Sequence, residues 1–441
     1  YVLFYLFVQA EFGLCCPVSM TDSLTRTLRR YGAPELLARY LPALTSLDFD
    51  ELCQGAMFMT EQGAGSDVGA TATRARQDEQ GNWRLEGDKW FCSNPDAGLA
   101  MVLARADGAV AGTRGLSLFL LPRVLADGSP NHYRIVRLKD KLGTRSMASG
   151  EIRMEGAIAY LVGDPGRGFL QMTDMINNSR LSNGVRAAGL MRRALTEALF
   201  IARNRQAFGQ RLVDLPLMKR QLAKMMVWTE QARSFVFQTA GALQRADAGD
   251  EAARRLVRIL TPLLKFRACR DARKVTGDAM EVRGGCGYIE EWSDARVLRD
   301  AHLGSIWEGT SNIVALDVMR AIRREDSLPA LDAYVTGLLG EAQLAPELQR
   351  TFSAAWRRAA EFALHAAGRG NEMLARQAAS ALYHTVSAAA LAAESNTPDT
   401  GRRLLLAQMV LRHRVLPRDP LAEAQADVEP LEALLAEAPM D

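Results

Sequence analysis

The chain has 441 residues, 48% of them apolar and 24% charged, with a formal net charge of +3. That length holds two or three domains around a large buried core, and the composition is that of an ordinary soluble globular protein. So small a charge excludes a partner recruited by global electrostatics, and six cysteines without C-x-x-C spacing point to reduced cytoplasmic thiols rather than a disulfide framework.

The N-terminus runs Tyr1-Val2-Leu3-Phe4-Tyr5-Leu6-Phe7-Val8, with no Met and no basic flank. Glu11 closes the apolar run after about ten residues, too short to span a bilayer, and no small-residue cleavage site follows. The run reads as the inside of a buried helix with sequence missing upstream; a signal-peptide core is the alternative.

Residues 1–50 read as helices. Pro17 can start one after Cys15-Cys16, and Pro34 sits in the first turn of another. From 52 to 158 the texture changes. Gly81-Asn82 before Trp83-Arg84-Leu85-Glu86-Gly87 predicts a hairpin, and the runs 100–104 and 116–121 are short, apolar and bounded by Gly or Pro. Beyond 166, long 3.6-period stretches at 169–206, 217–247 and 250–282 predict helices, punctuated by Asp214, Pro216 and Gly284-Gly285, and a last helix starts near Ser311. Four or five long helices with short connections make a bundle. From 328 the chain is rich in Ala and Leu, lacks Lys, and reads as amphipathic helices followed by an acidic tail containing Pro. The expected domains are 1–51, 52–158, 159–327 and 328–441, an α+β chain of helices, β-domain, bundle and helical extension.

Two stretches carry the chemistry. Met59-Thr60-Glu61-Gln62-Gly63-Ala64-Gly65-Ser66-Asp67 is a glycine loop after an apolar run, able to turn N–H groups and a hydroxyl toward an anion. It does not fit a dinucleotide fingerprint, because no helix or βαβ unit follows. Ser305-Ile306-Trp307-Glu308-Gly309-Thr310-Ser311-Asn312 sets one carboxylate between an aromatic residue and a Gly-Thr-Ser turn. Read alone, the first is also an ordinary turn and the second a solvated surface carboxylate.

Their order and separation, with the helix–β–bundle sequence around them, resemble the acyl-CoA dehydrogenases. The resemblance implies FAD held by Met59, Thr60, Gly65 and Ser66, with Ser66 also near the acyl-CoA. Lys89-Trp90-Phe91-Cys92-Ser93-Asn94 is similar to the family strand that lays an aromatic residue, here Phe91, on the flavin and a hydroxyl, here Ser93, near N5. Arg205 and Phe208 in Arg203–Gly209 match residues that reach a neighbouring subunit's FAD. So do Gly284 and Gly285, with Glu281 where Gln is common. Ala207 and Leu215-Pro216 depart from the family's hydroxyl and His-Gln, so some of those contacts are lost or replaced. Thr310 and Asn312 complete the implied cofactor set.

The resemblance makes Glu308 the base that removes the α-proton of the thioester, while the β-hydrogen leaves as hydride to flavin N5. A dry pocket makes a carboxylate a better base. Some relatives carry the base just before an Arg on the first bundle helix; that place is Ser179 before Arg180, which leaves Glu308. Asn177, Arg180 and Gly309 align with substrate contacts. The implied product is a trans-2-enoyl-CoA, the implied acceptor an electron-transfer flavoprotein and the implied assembly a homotetramer.

Arg137 through Ser149, Trp307 before the Glu, and the helical extension resemble the AidB-like, alkylation-response branch. In that branch a second reading is a flavoprotein that binds or protects DNA. From 331 onward ten Arg and no Lys stand against fourteen acids, a balance of 10 − 14 = −4. Arg402-Arg403 and Arg412-x-Arg414 are the local exception, so duplex DNA is not the favoured partner. A helical scaffold without FAD is the third reading.

Overall fold

The computed structural model describes residues 1–396, 401–419, 421 and 428–435. The expected acidic tail lies largely outside them. The chain falls into two compact units, Glu11–Ser182 and Tyr1–Ala10 with Asn183–Asp441.

Three helices come first: α1 (Val2–Ala10), α2 (Cys15–Tyr31) and α3 (Pro34–Leu44). Pro34 opens α3, where a missing N–H costs nothing. α2 begins at Cys15 and takes Pro17 into its first turn.

Seven strands follow: β1 (Gly55–Phe58), β2 (Arg74–Gln77), β3 (Trp83–Ser93), β4 (Leu99–Ala106), β5 (Leu116–Pro122), β6 (Tyr133–Leu138) and β7 (Ser149–Val162). β2 and β3 form the hairpin expected around Gly81-Asn82, with Gln77 opposite Trp83. β4 also pairs with β2 in parallel and with β5 antiparallel, so β4–β2–β3–β7–β5 close into a ring. Closure removes exposed edges. β1 lies parallel to β4 and β6 antiparallel to β7. The unbroken apolar runs of β4 and β5 are explained by burial on both faces: Met101, Val102, Leu118 and Phe119 are fully buried.

The helical part begins with α4 (Gly168–Asn204), within which the unit boundary falls. A small hairpin of β8 (Gln206–Ala207) and β9 (Gln210–Arg211) precedes α5 (Pro216–Asp247). Then come α6 (Glu251–Arg283), α7 (Gly285–Tyr288), α8 (Ser293–Leu303) and α9 (Ser311–Glu325). Asp250 caps α6 by accepting from the Ala253 N–H at 3.0 Å, and Gly284, at φ 73, ends it. Gly189 sits inside α4 because a β-carbon there would strike Val8 Cγ1 of α1 and stand 3.1 Å from the Tyr5 carbonyl. The glycine is the space that α1 occupies.

The extension comprises α10 (Ser327–Glu341), α11 (Pro346–Ala366), α12 (Ala375–Glu394), α13 (Arg402–Val410), a π-helical turn Leu411–Val415 and α14 (Val428–Leu435). α11 is amphipathic as expected. α12 is buried nearly all round, packed among α5, α6, α9, α10, α11 and α13, with Tyr383 stacked on Phe235 at 4.8 Å. A helix without a polar face belongs in a core. No helix among the described residues is long and apolar enough to cross a membrane.

Candidate active site

The loop after β1 is closed by two backbone hydrogen bonds between Glu61 and Ala64, at 3.1 and 3.2 Å. Trp90 N–H donates to the Thr60 carbonyl at 2.8 Å, which lays the loop beside β3. Met59 and Thr60 are half-buried, and Gly65 and Ser66 are exposed. On the neighbouring strand Phe91 is 60% exposed, while Ser93 is half-buried at the strand's end.

A buried ion pair fixes this arrangement. Lys89, with no exposed surface, donates from Nζ to Glu61 Oε1 (2.7 Å), the Leu103 carbonyl (2.8 Å) and the Met59 carbonyl (3.3 Å). Three donors meet three acceptors. Glu61 also accepts from Ala72 N–H (2.7 Å), Thr73 N–H (3.1 Å) and Thr73 Oγ1 (2.5 Å). Burial pushes the Glu61 carboxyl up, but the Lys89 charge and these hydrogen bonds outweigh it and hold the group below the usual carboxylate range.

Also in the first unit, Arg180 is buried and its Nη1 donates to Asn177 Oδ1 at 3.5 Å, one turn apart on α4. Ser179, between them in sequence, is buried.

In the second unit Glu308 adopts φ 53 and Gly309 φ 98. A non-glycine residue in left-handed backbone costs of order 1–3 kcal/mol and persists only where its surroundings impose it. Part of what imposes it is visible. Lys265, 1% exposed inside the apolar run of α6, donates from Nζ to the Gly309 carbonyl. Arg186 of α4, also 1% exposed, holds its guanidinium 4.4 Å from the centre of the Trp307 ring. The turn thus stands between two buried cations from different helices. Farther along, Arg270 donates to Ser311 Oγ at 3.3 Å and Arg376 to Asn312 Oδ1 at 3.5 Å; Thr310 and Asn312 are exposed.

Where the periodicity predicts helix to 206, α4 stops at Asn204 and the β8–β9 hairpin begins. Its two-residue turn is Phe208-Gly209, at φ 53 and 78, the positive pair that a tight hairpin turn demands. Phe208 stands 92% exposed at the tip. Arg205 donates to the Arg283 carbonyl at 3.3 Å and lies beside Gly284, so the Arg205 motif and the Gly284-Gly285 segment share one patch of one chain. Glu281, exposed nearby, accepts from Gln221 at 3.5 Å.

Lys89, Lys265 and Arg186 escape the sequence reading. Their only signal is a cation where the pattern calls for an apolar residue, as in Leu264-Lys265-Phe266. The arginines of 402–414 turn inward in part. Arg403 is 13% exposed and pairs with Glu230 at 2.9 Å and Glu394 at 3.6 Å, while Arg414 lies 4.5 Å from the centre of the Trp228 ring.

Comparison with known proteins places this geometry in a family. The description "Acyl-CoA dehydrogenase, middle domain" matches residues 56–157 and "Acyl-CoA dehydrogenase, C-terminal domain" matches 166–323. The chain belongs to the acyl-CoA dehydrogenase family. Within it, residues 1–51 match the adaptive response protein AidB N-terminal domain, which marks the AidB-like branch. The Caenorhabditis elegans acyl-CoA dehydrogenase family member 11 is 38% identical over 354 residues, 78% of this chain and 57% of that protein. The putative acyl-CoA dehydrogenase AidB of Escherichia coli K12 is 37% identical over 347 residues, 77% of this chain and 61% of its own length. The chain therefore spans less than two thirds of these relatives. The crystal structure of C. elegans ACDH-11 in complex with C11-CoA superposes with a TM-score of 0.88 at 32% identity, covering 94% of this chain and 74% of that one.

Proposed function

We propose that the protein is an FAD-dependent acyl-CoA dehydrogenase that converts an acyl-CoA thioester to the trans-2-enoyl-CoA, with Glu308 as the base. The observation that carries this reading is the turn itself: a carboxylate at φ 53 whose following carbonyl is gripped by a buried lysine. Such a base is placed before substrate arrives, which is where positioning gains rate. Glu308 takes the α-proton on its carboxylate, and its backbone N–H is the donor available to polarise the thioester carbonyl. Asn177 and Arg180 hold the substrate beside Ser66, and Gly309 contacts it next to the base.

The chain's residues fit a flavin. Open space surrounds the positions where β-carbons at Gly63 and Gly65 would stand, and the exposed Phe91 ring lies on the strand bonded to that loop. Met59, Thr60, Gly65, Ser66, Phe91, Ser93, Thr310 and Asn312 would hold it. FAD, when bound, accepts the β-hydride; an electron-transfer flavoprotein is the fitting acceptor from there.

Arg205, Phe208, Glu281, Gly284 and Gly285 serve a neighbouring chain's FAD in a homotetramer. The exposed Phe208 tip beside Arg205 supports that reading. The purified protein is expected to be yellow and oligomeric, and Phe208→Asp to shed both partner chains and flavin together. Size-exclusion chromatography with absorbance at the flavin band reads both. A variant that becomes monomeric and keeps full FAD occupancy contradicts the shared-site assignment.

Lys265→Met is expected to lower the rate of flavin reduction about 10- to 100-fold, the scale of an ångström-level misplacement, with FAD content and acyl-CoA affinity little changed. Single-turnover reduction against substrate concentration separates rate from binding. An unchanged limiting rate would show that the Gly309 grip is dispensable.

A further inference from the structure

α9 begins against the usual charge rule. The N-terminal end of a helix carries partial positive charge and favours acids, while cations belong at the other end. α9 obeys the rule in its last turn, with Arg323 and Arg324, and has no acid in its first. Two arginines from other elements stand at that first turn instead. Arg270 of α6, half-buried, donates to Ser311 Oγ at 3.3 Å, and Arg376 of α12, exposed, donates to Asn312 Oδ1 at 3.5 Å. Arg273, one turn beyond Arg270, donates to Ser305 Oγ at 3.1 Å, at the start of the same stretch. Each of these contacts ends on a neutral oxygen. Thr310, the N-cap, makes no side-chain hydrogen bond to the turn it precedes, so its hydroxyl does not take up the first N–H groups of α9.

The arginines act on one another. Burial depresses the Arg270 guanidinium, and the like charges of Arg376, Arg267 and Arg273 push the same way. Asp271 opposes them, but its carboxylate is held by two nitrogens of Arg267, at 2.7 and 3.1 Å. An arginine on a solvated helix face carries no such strain. Here like charges and a helix end of the same sign converge on two adjacent residues, Ser311 and Asn312, from helices far apart in the chain. An anion seated there would meet two guanidinium forks together with the first N–H groups of α9. Those are the donors that suit phosphate oxygens.

We propose that Arg270 and Arg376 form a clamp for the diphosphate of FAD at the start of α9, Arg376 being the C-terminal extension's contribution to the cofactor site. The clamp rests on the reading of Thr310 and Asn312 as cofactor contacts and adds the positive charge that those neutral side chains lack. It gives the extension a task in retaining the cofactor. Because it acts on the phosphates and not on the flavin ring, its loss lowers affinity for FAD and leaves a flavin without phosphate unaffected.

The test strips flavin from the full-length protein and follows rebinding of FAD and of riboflavin by flavin fluorescence at near-physiological salt. Arg270→Gln and, separately, Arg376→Gln are each expected to weaken FAD at least about tenfold, the scale of one lost charge-assisted contact. Riboflavin affinity and the thermal midpoint of the flavin-free chain should stay at their wild-type values. Arg376→Lys keeps the charge and should recover part of the loss. Added salt should weaken FAD binding more steeply in wild type than in either Gln variant. If wild type binds no FAD, the dehydrogenase reading falls and the clamp falls with it. If wild type binds FAD and neither Gln substitution weakens it, the clamp alone is wrong. The clamp is equally overturned if FAD and riboflavin weaken together, or if the variants keep FAD and lose affinity for acyl-CoA, which would assign the arginines to the diphosphate of coenzyme A.

Discussion

Replacing Glu308 with Gln is expected to abolish flavin reduction by any acyl-CoA while leaving FAD bound. The amide is isosteric with the acid and fits the same left-handed turn, so the Lys265 and Arg186 contacts around it should persist. It cannot accept the α-proton. Loss of a general base costs at least about 10²–10⁴-fold. A larger loss is expected here, because proton removal and hydride departure belong to one reaction. Ser179, the alternative place for a base, supplies no carboxylate. Anaerobic stopped-flow bleaching of wild type and variant with the best substrate decides the matter. A variant within tenfold of wild type would remove Glu308 from the chemistry.

The second large effect is expected at Lys89. Lys89→Met leaves the Glu61 carboxylate buried without its counter-charge, a change that costs about 3–5 kcal/mol when one partner of a buried pair is removed. Because Glu61 and Lys89 join the loop to β3 and β4, the loss should appear both as a lower thermal midpoint and as weaker FAD retention. The double variant Lys89→Met with Glu61→Gln removes both charges, keeps an acceptor for the Ala72 and Thr73 N–H groups, and should recover much of the stability. Its flavin affinity should stay low, because the loop has still lost its tether. If the single variant is as stable as wild type, or the double no better than the single, the pair is not what holds the loop. The depressed Glu61 carboxyl adds a pH signature: its contribution is complete above the usual carboxylate range and is lost as pH falls through its lower folded value.

Much of the architecture was legible in the residues, and for physical reasons. The helices α4 to α6 carry a 3.6-residue repeat over many turns, and Pro216 and Gly284 mark ends that other residues fill poorly. β4 and β5 announce themselves because burial on both faces demands unbroken apolar runs. The β8–β9 hairpin was hidden, since Gln206, Ala207, Gln210 and Arg211 show no alternation and are too few to establish a period. α8 was hidden likewise, lying between two glycine-rich punctuations. At the candidate site, Glu308 and the Met59–Ser66 loop could be read from local patterns. The supporting cations could not. Lys89 falls out of phase with the charges Arg84, Glu86 and Asp88, on the face of Leu85, yet nothing local names its partners, and Lys265 has its acceptor 44 residues away. Which backbone carbonyl a buried lysine grips is a property of packing, and no local period encodes it.

Gly189 has a use beyond explaining how α1 packs. The contact is between one hydrogen-sized gap and one valine, so it works as a one-letter gauge of architecture. A chain aligned to this one that carries alanine there must shift its first helix or carry a smaller residue where Val8 stands. The letter can be read without a structure, which makes it a cheap way to sort relatives by whether a helix covers the middle of the first bundle helix.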